Sequence, residues 1–155
     1  MAILPILLEG EPLLRKRAEP VPQVTRRVQR LVRDMFATMY AADGVGLAAP
    51  QVGIAERIIV VDVGSSGPLA LINPEIEEAR GAETDVESCL SAPGKTGYVT
   101  RAAEVAVAGW SPTGRPVRIK AGGWLARVLQ HEIDHLDGVL FTDKATGVRV
   151  RTPQT

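Results

Sequence analysis

Between Thr25 and Ala42 the apolar residues Val28, Leu31, Val32, Met35, Phe36 and Met39 recur at i, i+3, i+4, i+7 spacing, with Arg26, Arg27, Arg30 and Arg33 between them. This pattern predicts an amphipathic helix opened by Thr25 as N-cap and stopped at Asp43-Gly44. A second helical pattern runs from Gly122-Gly123 to Gly138, with Trp124, Leu125, Val128, Leu129, Ile133 and Leu136 as its apolar stripe. At about 100° per residue, His131 and His135 fall at the Trp124/Val128 edge of the stripe and Glu132 falls inside it. Arg127, Gln130 and Asp134 lie opposite and are expected on the outer face.

Strand patterns fill much of the rest. The β-branched run Arg57 to Val63 is bounded by Gly64-Ser65-Ser66-Gly67, and Leu69 to Pro74 and Ile76 to Ala79 read as two short strands. Glu104 to Trp110 alternates at period two and turns through Ser111-Pro112-Thr113-Gly114 into Val117 to Lys120, a hairpin. Gly44 to Gly53 reads as a glycine-punctuated loop. Glu87 to Ser91 is too short to assign and is expected to turn at Pro93-Gly94. Strands without the alternating helices of a doubly wound sheet indicate an α+β fold. A single domain over 1–155 is expected, with about 142–155 as a flexible polar tail.

Composition narrows the function class. Basic and acidic residues balance at 18 each, which removes the basic field that nucleic-acid binding would need. Aromatic residues are 4% of the chain, too few for base-stacking platforms. The apolar run Ala2 to Leu8 is far shorter than a membrane span and is broken by Pro5. A cytoplasmic protein is expected, with no nucleic-acid or membrane partner.

The chemistry concentrates on few residues. His131-Glu132-x-x-His135 is an H-E-x-x-H string, which on a helix turns two imidazoles to one side with a carboxylate beside them. Both histidines of the chain lie in it, and the one cysteine, Cys89, is the remaining soft donor. Three such donors favour an open catalytic site over a closed structural one, although a carboxylate could complete the shell. In an open site Glu132 is placed to move protons. The Gln51 amide and the backbone N–H of Leu90 are candidate donors to a developing oxyanion.

Three segments, Gly44-x-Gly46-Leu47-Ala48-Ala49-Pro50-Gln51, Glu87-x-Cys89-Leu90-Ser91 and Gln130-His131-Glu132-x-x-His135, resemble in order and spacing the three motifs of peptide deformylase. The resemblance implies small antiparallel or mixed sheets packed around a central metal-binding helix, and removal of the N-formyl group from the starting methionine of nascent polypeptides. It implies Cys89, His131 and His135 as ligands of one divalent ion, most often Fe2+, with Zn2+, Ni2+ or Co2+ as substitutes. Glu132 would be base then acid, with Gln51 and Leu90 binding the oxyanion. The peptide would lie as an added strand near Val45 and Gly46, with Gly97 and Tyr98 as neighbours. Glu87 would orient a ligand imidazole, and Arg101 and Asp134 would pair to brace the helix.

Ser88 departs from the family pattern, which has glycine there, and would be strained if the position needs positive φ. A monomer is expected. Docking to the ribosome is left without a sequence feature, because the long C-terminal helix of some family members has no counterpart here. Two alternatives stand beside the deformylase reading: an H-E-x-x-H zinc peptidase and an inactive, metal-stabilised binding module.

Overall fold

The computed structural model describes residues 1–151. Helix α1 (Arg26–Ala41) starts where the Thr25 hydroxyl accepts the Val28 N–H, and buries Val28, Leu31, Val32, Met35 and Met39. Past its end Asp43 takes φ 56° and the Gly44 N–H returns to the Met39 carbonyl, a left-handed stop. The segment expected as a loop is partly regular: strand β1 (Gly46–Ala48) runs into a 3-10 turn over Ala49–Val52.

Strands β2 (Ile58–Val61), β3 (Leu69–Arg80), β6 (Glu104–Trp110) and β7 (Pro116–Gly122) join β1 in a five-stranded antiparallel sheet of order β1-β2-β3-β6-β7. The two short strands expected around Pro74 are one bulged strand, β3. The first of its two register shifts spans Asn73, whose φ is 53° and whose side chain bonds both the N–H and the carbonyl of Val21. β2 is buried at every position because it is covered twice: Ile58 and Val60 pack with α1, and Ile59 and Val61 with helix α2 (Gly123–Leu136).

A second, three-stranded antiparallel sheet of order β4-β5-β8 contains β4 (Glu83–Cys89), β5 (Ala92–Arg101) and β8 (Thr146–Val150). The chain reverses at Leu90-Ser91, not at Pro93-Gly94, which lie within β5. β8 and the short helix α3 (Phe141–Lys144) occupy much of the stretch expected as a loose tail, because β5 offers a ladder to residues 146–150; the expectation for 152–155 lies outside the described residues. The two sheets end at β1 and at β4.

Helix α2 lies between the sheets, so the outer face expected for Arg127 and Gln130 does not exist. Arg127 is 5% and Gln130 9% exposed, whereas Trp124, expected inside, is 45% exposed. Gln130 bonds the backbone of Ala102 and Ala126, and Arg127 bonds groups of β4 and β5. Protein groups take the place of water on the polar side of the helix. Gly138 follows α2 with φ 75°, and an added Cβ would lie 2.5 Å from the Arg15 carbonyl oxygen. Among the described residues no helix is long and apolar enough to cross a membrane.

Candidate metal centre

Cys89 reaches the site from the last position of β4, held by the tight Leu90-Ser91 reversal that pairs it with Ala92. His131 and His135 come from one side of α2, where both are buried. Cys89 Sγ lies 3.3 Å from His135 Nε2, and one ligand atom from each of the three residues falls within 4.8 Å of the others. Donors at 2.0–2.3 Å from a tetrahedral ion are about 3.3–3.7 Å apart, so this set fits one divalent ion with little adjustment.

The electrostatics agree with that fit. Burial lowers the His131 imidazole, but Glu132, Cys89 and Glu87 around it raise it to about 10, so positive charge is favoured at this point. Burial and the charges of His131, Arg101 and Arg15 hold His135 well below its ordinary value, as a neutral imidazole suited to ligation. Burial pushes the Glu132 carboxyl up to about 7, against the pull of His131 and Arg101. Glu132 Oε1 is buried and has no hydrogen-bond partner among the described residues, and Oε2 lies 4.0 Å from His131 Nε2.

Gln51 is buried, and its orientation is set by its neighbours. Its Oε1 accepts the Ala48 N–H at 2.9 Å, which turns the amide NH2 toward Ser91 Oγ at 3.0 Å and Cys89 Sγ at 3.6 Å. The N-terminal arm fastens these segments together, with the Leu7 N–H on the Gln51 carbonyl and the Glu9 N–H on the Ser91 carbonyl.

Behind the ligands sits a buried ionic group. Glu87 Oε1 lies 2.9 Å from His131 Nδ1 and accepts from Arg101 Nη2, while Oε2 accepts from Arg101 Nε and from Arg127 Nη1. Arg101 also reaches Asp134 at 2.8 Å. Burial raises the Glu87 carboxyl, but the bonds from His131 and Arg101 prevail and hold it at about 2.

In front of the ligands opens a cleft of about 490 Å³, bordered by Val45 and Gly46 on one side and by Val86 to Leu90 on the other, with His131 and Glu132 at its base. Gly97 and Tyr98 do not border it. Gly97 packs against Ala145 and Val148, and Tyr98 is exposed beside β8. Ser88 borders the cleft, is exposed and is absent from the positive-φ positions, so the strain considered for serine does not arise.

Three neighbours of the site were given no role there by the sequence reading: Arg127, Ser91 and Phe141, whose ring stacks 6.1 Å from that of His131. Arg127 stands four residues before His131, a spacing that places both on one side of the helix. Nothing in the local sequence marks Phe141.

An H-E-x-x-H helix completed by a distant thiolate, with a buried carboxylate beside the donors, has the make-up of a hydrolytic metal site. Residues 3–151 match the family model described as polypeptide deformylase. The peptide deformylase of Pelotomaculum thermopropionicum is 51% identical over 154 residues, covering 99% of each chain. That of Halothermothrix orenii is 52% identical over 149 residues, covering 96% of this chain and 97% of its own. The crystal structure of Thermotoga maritima peptide deformylase superposes with TM-score 0.91 at 44% identity, over 94% of this chain and 99% of that one. The Synechococcus elongatus enzyme, solved in complex with actinonin, gives 0.89 at 46% identity over 93% and 79%. The chain belongs to the polypeptide deformylase family, metal-dependent amide hydrolases whose family function is deformylation of nascent peptides.

Proposed function

We propose that this chain hydrolyses the N-formyl amide of formyl-methionyl peptides, releasing formate, with Glu132 as the proton carrier and Fe2+ as the resident ion. The observation that carries the reading is the buried Oε1 of Glu132, without a hydrogen-bond partner among the described residues, beside three donors fitted to one ion and facing an open cleft. A divalent ion held by Cys89, His131 and His135 supplies Lewis acidity that makes water nucleophilic near neutral pH. Zn2+, Ni2+ or Co2+ fits the same donors.

Glu132, with its pKa near 7, takes the proton of the attacking water and delivers it to the departing amine nitrogen. The Gln51 NH2 and the Leu90 N–H stabilise the oxyanion that develops on the formyl oxygen when water adds to the formyl carbon. The peptide runs as an extended strand between β1 and β4, along Val45 and Gly46, which suits recognition through main-chain bonds. We place the enzyme in the cytoplasm as a monomer acting on nascent chains at or near the ribosome. By likeness to the Synechococcus elongatus enzyme, actinonin is expected to occupy the cleft.

The test is anaerobic purification with metal analysis, then formate release from formyl-Met-Ala-Ser by wild type and Glu132→Ala. Wild type loaded with iron or nickel should release formate, and the variant should keep metal and lose turnover. No formate from loaded wild type, or equal activity in the variant, sinks the reading. Internal cleavage of unformylated peptides would instead mark a zinc peptidase, and metal retention with neither activity an inactive binding module.

A further inference from the structure

We propose that Arg127 is a positioning residue of the metal centre, holding Glu87 against His131 and fixing the helix that carries both imidazoles to the strand that carries Cys89. The inference rests on reading Cys89, His131 and His135 as the ligands. It starts from the cost of placing an arginine beneath the surface, which is tolerated only where its donors are met. Arg127 Nη1 bonds Glu87 Oε2 at 2.7 Å and the Val99 carbonyl at 2.8 Å, and Nη2 bonds the Glu83 carbonyl at 2.9 Å.

These three partners lie on two strands of the site. Val99 is in β5, and Glu83 and Glu87 are in β4, which ends two residues after Glu87 at the thiolate. One guanidinium on α2 therefore spans both strands. Glu87 is also the one position of β4 that is fully buried, so its carboxylate depends on protein partners alone.

Both oxygens of Glu87 are doubly engaged: Oε1 by His131 and Arg101, Oε2 by Arg101 and Arg127. Arg101 approaches from β5, and Arg127 is the guanidinium that approaches from the same helix as His131. Without it the carboxylate can pivot on the Arg101 fork and leave Nδ1. A carboxylate accepting from Nδ1–H keeps the lone pair on Nε2, the atom turned toward the other donors, and groups in this position govern metal affinity. Arg127 also borders the cleft, so a peptide-binding role is the alternative to separate.

The experiment uses the Co2+-loaded protein. Wild type, Arg127→Met and Arg127→Lys are titrated against a chelator, following the visible absorption of thiolate-bound cobalt, and KM is measured at saturating Co2+ with formyl-Met-Ala-Ser. Arg127→Met should bind Co2+ about 10–100-fold more weakly, with KM within about threefold of wild type. Arg127→Lys should fall between them, since an ammonium meets Glu87 but cannot span both carbonyls. Unchanged Co2+ affinity in Arg127→Met, with or without a raised KM, overturns the proposal. If that variant does not fold, unchanged affinity in Arg127→Lys overturns it equally. Absence of cobalt binding by wild type removes the ligand assignment itself, and is recognised before any variant is compared.

Discussion

Gly46 and Glu132 touch: a Cβ added to Gly46 would stand 2.9 Å from both Cγ and Cδ of the glutamate, closer still to Oε2. The bare backbone of β1 thus sets where the carboxylate lies. Gly46→Ala should displace Glu132 while leaving the three metal donors in place. Because misplacing a reacting group by about 1 Å costs on the order of 100-fold, kcat for formate release should fall by roughly that factor at unchanged metal content. A kcat within a few-fold of wild type would show that Glu132 is not held by this contact.

Removal of the ion should abolish turnover reversibly. Chelated protein is expected to be inactive and to recover with Fe2+, Ni2+ or Co2+. Cys89→Ala should lose more metal affinity than the 10–100-fold typical of outer residues, as equilibrium dialysis would measure.

Acid should weaken the metal-stripped protein through Glu87. Its folded pKa of about 2 lies below the ordinary 4.5, so the unfolded chain binds the proton more readily. The stabilisation is present above pH 4.5 and is lost as pH falls toward 2. It amounts to about 3 kcal/mol at most. Urea midpoints of wild type and Glu87→Gln should differ most near pH 6 and converge toward pH 2.

Leu129 is fully buried in the cluster between α2 and the five-stranded sheet. Leu129→Ala should cost about 2–5 kcal/mol, read as a lowered urea midpoint with unchanged slope.

Ser88→Gly should leave stability within about 0.5 kcal/mol, since Ser88 is exposed and outside the positive-φ set. Its effect should fall on KM, through the cleft wall. A large gain in stability would contradict the relaxed backbone seen at this position.

Helix α1, β2 and the β6–β7 hairpin were legible because their apolar spacing reports burial on one face or on two. β4 and β5 were not. The buried side chain of β4 is Glu87, a carboxylate paired with arginines, so no alternation of apolar residues advertises the strand. The same cause misled the reading of α2, where Arg127 and Gln130 face protein instead of solvent. The metal donors were readable because their residue types are scarce in this chain. Gly97 and Tyr98 were carried by resemblance alone, and the structure turns them toward β8 and away from the cleft. The fixed orientation of Gln51 depends on an Ala48 N–H and a Ser91 hydroxyl that no local pattern connects.

The two sheets stop at β1 and β4, and the cleft lies between those edges. An unpaired edge ordinarily invites association with other sheets. Here β1 is only three residues long and β4 is bulged between Glu87 and Cys89, so neither offers another folded sheet a long ladder. A slender, extended chain end can enter where a structured one cannot. On the proposed function the opening sorts polypeptides by whether their N-terminus has yet folded, and the time available for the reaction is the interval before the emerging chain tucks its first residues away.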